Sequence, residues 1–227
     1  MKILECDTNA FTPNNITFIR IDPEDLSVSI NEILTALSDL SWIAKFDEDY
    51  IRKSFQKRAN DTANYLAKNL KLGKDDSITK STGEYVVSEL SREAIVAQLG
   101  YLDIPLAELF KEKISNNPGF DFYSANNEDI IVFGEAKYLA RQNAYGSGMT
   151  QVNRFIRNGQ DISDLNDIDK FFSKKALDSA SCGEKCYAVA FSSKKTPSDK
   201  IISGIKKHKN FIDLSKNKEL VFVAVNI

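Results

Sequence analysis

The chain has 227 residues, 42% hydrophobic and 27% charged, with a formal net charge of −2. This composition excludes disorder and suits one large domain or a domain with an extension. No run approaches the roughly 18 to 20 apolar residues of a membrane span, and the N-terminus has no long apolar core behind a basic start, so no membrane association or secretion is expected and the cytoplasm is the expected location.

In chain order, Ile16–Ile21 is β-rich, and Asp22-Pro23 reads as a helix cap with proline at the first helical position. Leu26, Ile30, Ile33, Leu34 and Leu37 then recur at helical spacing. A second helix is expected from about Asp47 through Leu70, with Gly73 as its cap. The polar run Lys74–Ser77 is the expected boundary between a mainly helical N-terminal region, 1–78, and a mixed α/β domain, 79–227.

Beyond it, a helix is expected from Thr82 or Gly83 to Gly100, and another from Pro105 through Lys113. Gly119–Ser124 and Ile130–Lys137 read as two arms of a hairpin around the turn-rich 125–129. A flexible polar loop over 138–150 leads to a helix from Met149 to Asn158. Tyr187–Phe191 and Leu220–Val225 are apolar strands separated by a helix that Ser198-Asp199 caps. The fold class expected is α/β, a mixed central sheet flanked by helices.

Charge is uneven. Residues 1–139 hold 15 basic and 23 acidic side chains, and residues 140–227 hold 15 basic and 9 acidic. Between Lys194 and Lys218 lie eight lysines against Asp199 and Asp213, a density that suits either a solvated surface or a phosphate backbone.

The single histidine, His208, removes nucleophile–imidazole hydrolases and His-rich zinc sites, and the three cysteines, Cys6, Cys182 and Cys186, have no zinc or disulfide spacing. Catalysis therefore falls to carboxylates, lysines and a hard metal ion. Residues two apart on a strand share a face, so Glu135 and Lys137 point together. The hairpin folds Asp121 back toward Phe133 or Glu135. Converging carboxylates raise each other's pKa unless a cation joins them, and Mg2+ suits phosphodiester hydrolysis. Lys137 would position the attacking water or help deprotonate it. A surface ion pair at a strand end is the plain alternative.

With these residues on the page, the chain resembles the PD-(D/E)xK nuclease superfamily, whose fold is restriction-endonuclease-like. The resemblance covers about residues 80–227. It rests on Gly83-Glu84 opening a helix, Pro118-Gly119-Phe120-Asp121, Gly134-Glu135-Ala136-Lys137-Tyr138, and a following helix with Gln151. Within the superfamily it looks closest to the nuclease subunit of Hachiman-type antiphage defence systems. The resemblance implies Asp121 and Glu135 as ligands of Mg2+, with Mn2+ able to substitute, Lys137 assisting the water, and a helical glutamate completing the site. That glutamate is Glu84 or Glu89, about 140° apart on one helix, with Glu84 preferred. Gln151, Arg141 and Arg154 are the expected DNA contacts.

The leading expectation is thus an Mg2+-dependent DNA endonuclease of restriction or antiphage defence. The alternatives are a non-catalytic nucleic-acid-binding or assembly subunit that retains the fold, and a nuclease silent until released by a partner such as a helicase. Self-association is left open.

Overall fold

The computed structural model describes residues 1–69, 79–111 and 119–227. Its centre is a six-stranded mixed sheet. The strands are β1 (Lys2–Asp7), β2 (Ile16–Asp22), β3 (Phe122–Ala125), β4 (Ile131–Lys137), β5 (Cys186–Ser193) and β6 (Glu219–Asn226). They are ordered β1-β2-β6-β5-β4-β3. The inner four run parallel, and each edge strand is antiparallel to its neighbour. Parallel strands bury both faces under crossover helices, which is why β5 reads as a continuous apolar run and is buried along its whole length. The expected α/β class, a mixed sheet flanked by helices, is the architecture observed.

The flanking helices are α1 (Leu26–Ser38), α2 (Asp49–Asn69), α3 (Lys80–Leu99), α4 (Ala107–Phe110), α5 (Tyr145–Arg157), α6 (Gln160–Ile168), α7 (Lys174–Ser181), α8 (Ser198–Lys207) and α9 (Phe211–Leu214). Among the described residues, no helix is long and apolar enough to cross a membrane. Strands from both sides of residue 78 share the one sheet. β2 pairs with β6 from Ile16↔Leu220 to Ile21↔Val225, and Phe11 stacks on Phe222 with ring centroids 5.4 Å apart. The expected Gly73 cap, the Lys74–Ser77 turn and Pro118 lie outside the described residues.

Several local expectations are corrected. The cap of α1 is Asp25, not Asp22: Asp25 Oδ1 accepts from Ser27 N at 2.9 Å and Val28 N at 3.1 Å, while β2 continues through Asp22. The helix expected from Pro105 is the short α4. α5 begins at Tyr145, so Gly146, Ser147 and Gly148 are helical rather than part of a flexible loop. Leu139 N donates to Ser192 Oγ at 2.9 Å, and Asn143 Oδ1 accepts from Lys194 N at 2.8 Å, which ties 138–144 to β5 and the segment after it. Glycine at 148 is what allows this packing: a Cβ there would stand 2.7 Å from Val189 Cγ1.

Tyr187, Phe191 and Phe222 are buried in the core. Trp42 is partly buried in an aromatic cluster with Phe46, Phe55 and Phe171. The three cysteines are free thiols.

Candidate functional site

The site forms where β4 ends, at the carboxyl end of a parallel strand, the edge at which open α/β sheets place ligands. Two glycines bring its walls together. A Cβ on Gly134 would stand 2.2 Å from the Phe122 ring, so its absence lets β3 lie tightly on β4. A Cβ on Gly83 would stand 2.3 Å from the Tyr138 ring, so α3 reaches the end of β4 at its first turns. One residue past Gly83, Glu84 arrives beside Lys137.

Glu135 and Lys137 share a face of β4, as alternation requires. Lys137 Nζ lies 2.6 Å from Glu135 Oε1 and 3.8 Å from Glu84 Oε1. The Glu135 side chain is 1% exposed, Lys137 17% and Glu84 31%, so the group runs from the interior to solvent. Asp121 precedes β3, donates its N–H to Gly134 O at 2.9 Å, and accepts from Ala136 N through Oδ2 at 2.7 Å. The hairpin register, Phe122↔Gly134, therefore brings Asp121 to the level of Glu135.

Electrostatics distinguish these side chains. Burial raises the Asp121 carboxyl to about 6, with Glu84 adding to the shift and Lys137 and the Ala136 N–H opposing it. Burial, then the Asp121 charge, pushes Glu135 well above the ordinary carboxylate range despite Lys137. Lys137 is raised: burial acts to lower it, but Glu135, Asp121 and Glu84 together outweigh that. An ammonium so held is a hydrogen-bond donor, which suits the expected role of positioning the water.

Glu135 Oε2 is buried with no hydrogen-bond partner among the described residues, and Oε1 is held by Lys137 in an ion pair. Among the described residues no three His, Cys, Asp or Glu side chains form a ready coordination group, so Asp121, Glu135 and Glu84 do not stand as a three-carboxylate cage. Lys137 bridges two of them instead. Magnesium needs only one or two carboxylates beside its waters, and the hard Oε2 of Glu135 next to Asp121 fits that donor set.

The two helical glutamates have separate fates. Glu89 is 2% exposed and grips Arg92 at both oxygens, 2.6 Å to Nη2 and 2.9 Å to Nε. Arg92 also pairs with Asp103. Glu84 alone of the two faces the end of β4.

Of the expected DNA contacts, Gln151 and Arg154 line a groove of about 680 Å³ beside the site, together with Leu139, His208 and Lys209. Arg141 is exposed in the turn before α5 and is not part of that lining. The lysine cluster is partly committed elsewhere: Lys216 pairs with Asp213, Lys218 with Glu184, and Lys194 with Ile227 O.

Sequence reasoning missed Asp164 and Lys111. Asp164 Oδ2, on α6, accepts from Phe120 N at 3.0 Å and Tyr123 OH at 2.5 Å, the residues on either side of the Asp121–Phe122 step. Lys111 Nζ lies 3.0 Å from the same oxygen. This clamp fixes where Asp121 enters the hairpin. Its acid lies 43 residues downstream of Asp121, on a helix with no motif, so no local signal marks it.

Comparison with protein-family models, curated proteins and solved structures returns no match for this chain.

Proposed function

We propose that the protein is an Mg2+-dependent endonuclease hydrolysing DNA phosphodiester bonds, acting in restriction or antiphage defence in the cytoplasm. The observation that carries this reading is the pair of acids at the end of β4: buried Glu135, with an oxygen that has no hydrogen-bond partner among the described residues, beside Asp121, with Lys137 Nζ 2.6 Å from Glu135. The resemblance to PD-(D/E)xK nucleases supports it, since the same residues carry both.

Asp121 and Glu135 would hold the magnesium ion, which when bound supplies positive charge against the phosphate and lowers the pKa of water. The chain's own residues do the rest. Lys137 Nζ holds a water against phosphorus and offsets negative charge as it develops on the phosphoryl oxygens. Glu84, the most exposed of the carboxylates, stands within reach of solvent to accept the proton that the water releases. The new P–O bond forms as the bond to the leaving deoxyribose oxygen breaks, and that oxygen leaves with a proton from solvent.

A second reading, a non-catalytic nucleic-acid-binding or assembly subunit, is favoured by one observation. Lys137 already bridges Glu84 and Glu135, so the cluster is partly neutralised by the protein itself. Incubation with supercoiled plasmid separates the two. Nicking that requires Mg2+ or Mn2+, stops with chelator and is lost in Asp121→Ala supports the enzyme. Salt-sensitive DNA binding without nicking under either metal, unchanged by Lys137→Ala, supports the subunit.

A further inference from the structure

The groove between α5 and the turn that follows α8 is built around the chain's one histidine. His208 Nδ1 accepts from Asn210 N at 3.3 Å, so the neutral ring carries its proton on Nε2. That nitrogen faces the first turn of α5, where a Cβ on Gly146 would stand 3.5 Å from it. The turn is braced from beneath. Asn210 Oδ1 accepts from Asn153 Nδ2 at 3.1 Å, and Asn210 Nδ2 donates to Thr150 Oγ1 at 3.4 Å, with both asparagines buried.

The charge of the groove is one-sided. Arg154 enters from α5 and Lys209 from the turn, and among the described residues no acidic side chain lines it. Burial, then Lys209, lowers His208 below its ordinary pKa, so near neutrality the ring is an uncharged N–H donor between two cations. A phosphate placed there would raise it again. Leu139, two residues beyond Lys137, lines the groove, and a Cβ on Gly148, next to the lining residue Ser147, would stand 3.9 Å from Lys137 Cγ, so the groove lies alongside the end of β4.

We infer that this groove is the track for the phosphodiester backbone of the DNA strand beyond the scissile bond, with His208 Nε2–H, Arg154 and Lys209 as its phosphate partners. The inference rests on the nuclease reading for the identity of the strand, but its own evidence lies in the groove. A backbone needs repeated cationic and N–H contacts without base recognition, and these side chains supply that.

The test uses the native chain in chelator, where the sole imidazole gives one resolved set of NMR signals. Oligothymidylate is expected to shift those signals and raise the titration midpoint of His208. His208→Ala is expected to weaken oligothymidylate binding about tenfold. Lys209→Ala, an exposed change that leaves the Asn210 brace intact, should reduce the salt dependence of binding by roughly 0.7 in log–log slope. Imidazole signals unmoved by oligothymidylate, or native binding and salt slope in both variants, would overturn the inference. A response to inorganic phosphate with none to oligothymidylate would overturn it as well, in favour of a site for a free anion. Plasmid nicking is scored separately. Oligothymidylate held at His208 by a protein that never nicks supports the groove and sinks the catalytic reading, whereas nicking with no groove response does the reverse.

Discussion

Two sets of carboxylates in this molecule are treated differently. On α6, Asp161 accepts from Lys185 Nζ at 2.5 Å and Tyr187 OH at 2.6 Å. Asp164 accepts from Phe120 N, Tyr123 OH and Gln160 Nε2, with Lys111 beside it. Each is an acid whose desolvation is offset by donors from several elements, the usual condition for a buried charge. At the end of β4, Glu135 is as buried, yet it keeps an oxygen with no hydrogen-bond partner among the described residues, and its ion-pair partner Lys137 also lies beside Glu84. The first set holds the fold. The second leaves a desolvated oxygen without a donor, as the proposed metal site would require.

Breaking the satisfied set should cost most. Asp164→Ala strips the partner from Lys111, Tyr123 OH and Phe120 N at once and is expected to destabilise the protein by about 3–5 kcal/mol, read from urea unfolding. Native-like stability in that variant would remove the clamp from the account. Relieving the unsatisfied set should act in the opposite direction. Glu135→Gln removes a carboxyl that burial and Asp121 hold above its ordinary pKa, and without divalent metal it is expected to be more stable than the native chain, read from urea unfolding. A loss of stability would mean that the Lys137 ion pair outweighs burial.

The sign of the pH dependence follows. Asp121 binds its proton more tightly folded, near 6, than at its ordinary 3.8, so its contribution is fully present below about 3.8 and is lost as pH rises through 6. Glu135 extends the loss to higher pH. The stability of Asp121→Asn minus that of the native chain should therefore grow from pH 4 to pH 6 by about 2 kcal/mol in the absence of metal. The difference between the variants cancels groups that titrate the other way, such as His208, whose lowered pKa favours the fold as pH rises. The smallest effect is expected far from either set: Lys216→Ala, on an exposed pair with Asp213, should change stability by less than about 0.5 kcal/mol.

Much of this arrangement was legible in the sequence, for local reasons. Glu135 and Lys137 share a face because strand alternation is fixed by covalent geometry, and the turn residues 126–129 set the hairpin that returns Asp121. The apolar runs of β5 and β6 could be nothing other than buried strands or helices, and their β-branched content favours strands. Other features depend on distant parts of the chain. β1 is an edge strand whose residues alternate between exposed and half-exposed, so it has no apolar stripe to announce it. The Gly146–Gly148 stretch has poor helix propensity, and only the close approach of Gly148 to Val189 makes it the first turn of α5. The 140° between Glu84 and Glu89 separates their faces without saying which meets β4; the fit of Gly83 against Tyr138 decides that. α6 and α7 were not anticipated at all. The two buried acids of α6 look like ordinary surface aspartates until Lys185, Tyr187 and Tyr123 are brought over them.

Calorimetric titration of Mn2+ into the native chain and into Glu135→Gln tests most directly whether the strand-end acids are kept open for a cation. One binding event in the native protein, abolished by Glu135→Gln and preserved in Glu89→Gln, is the predicted result. Equal binding by the native chain and Glu135→Gln, or none by a folded native chain, would contradict it.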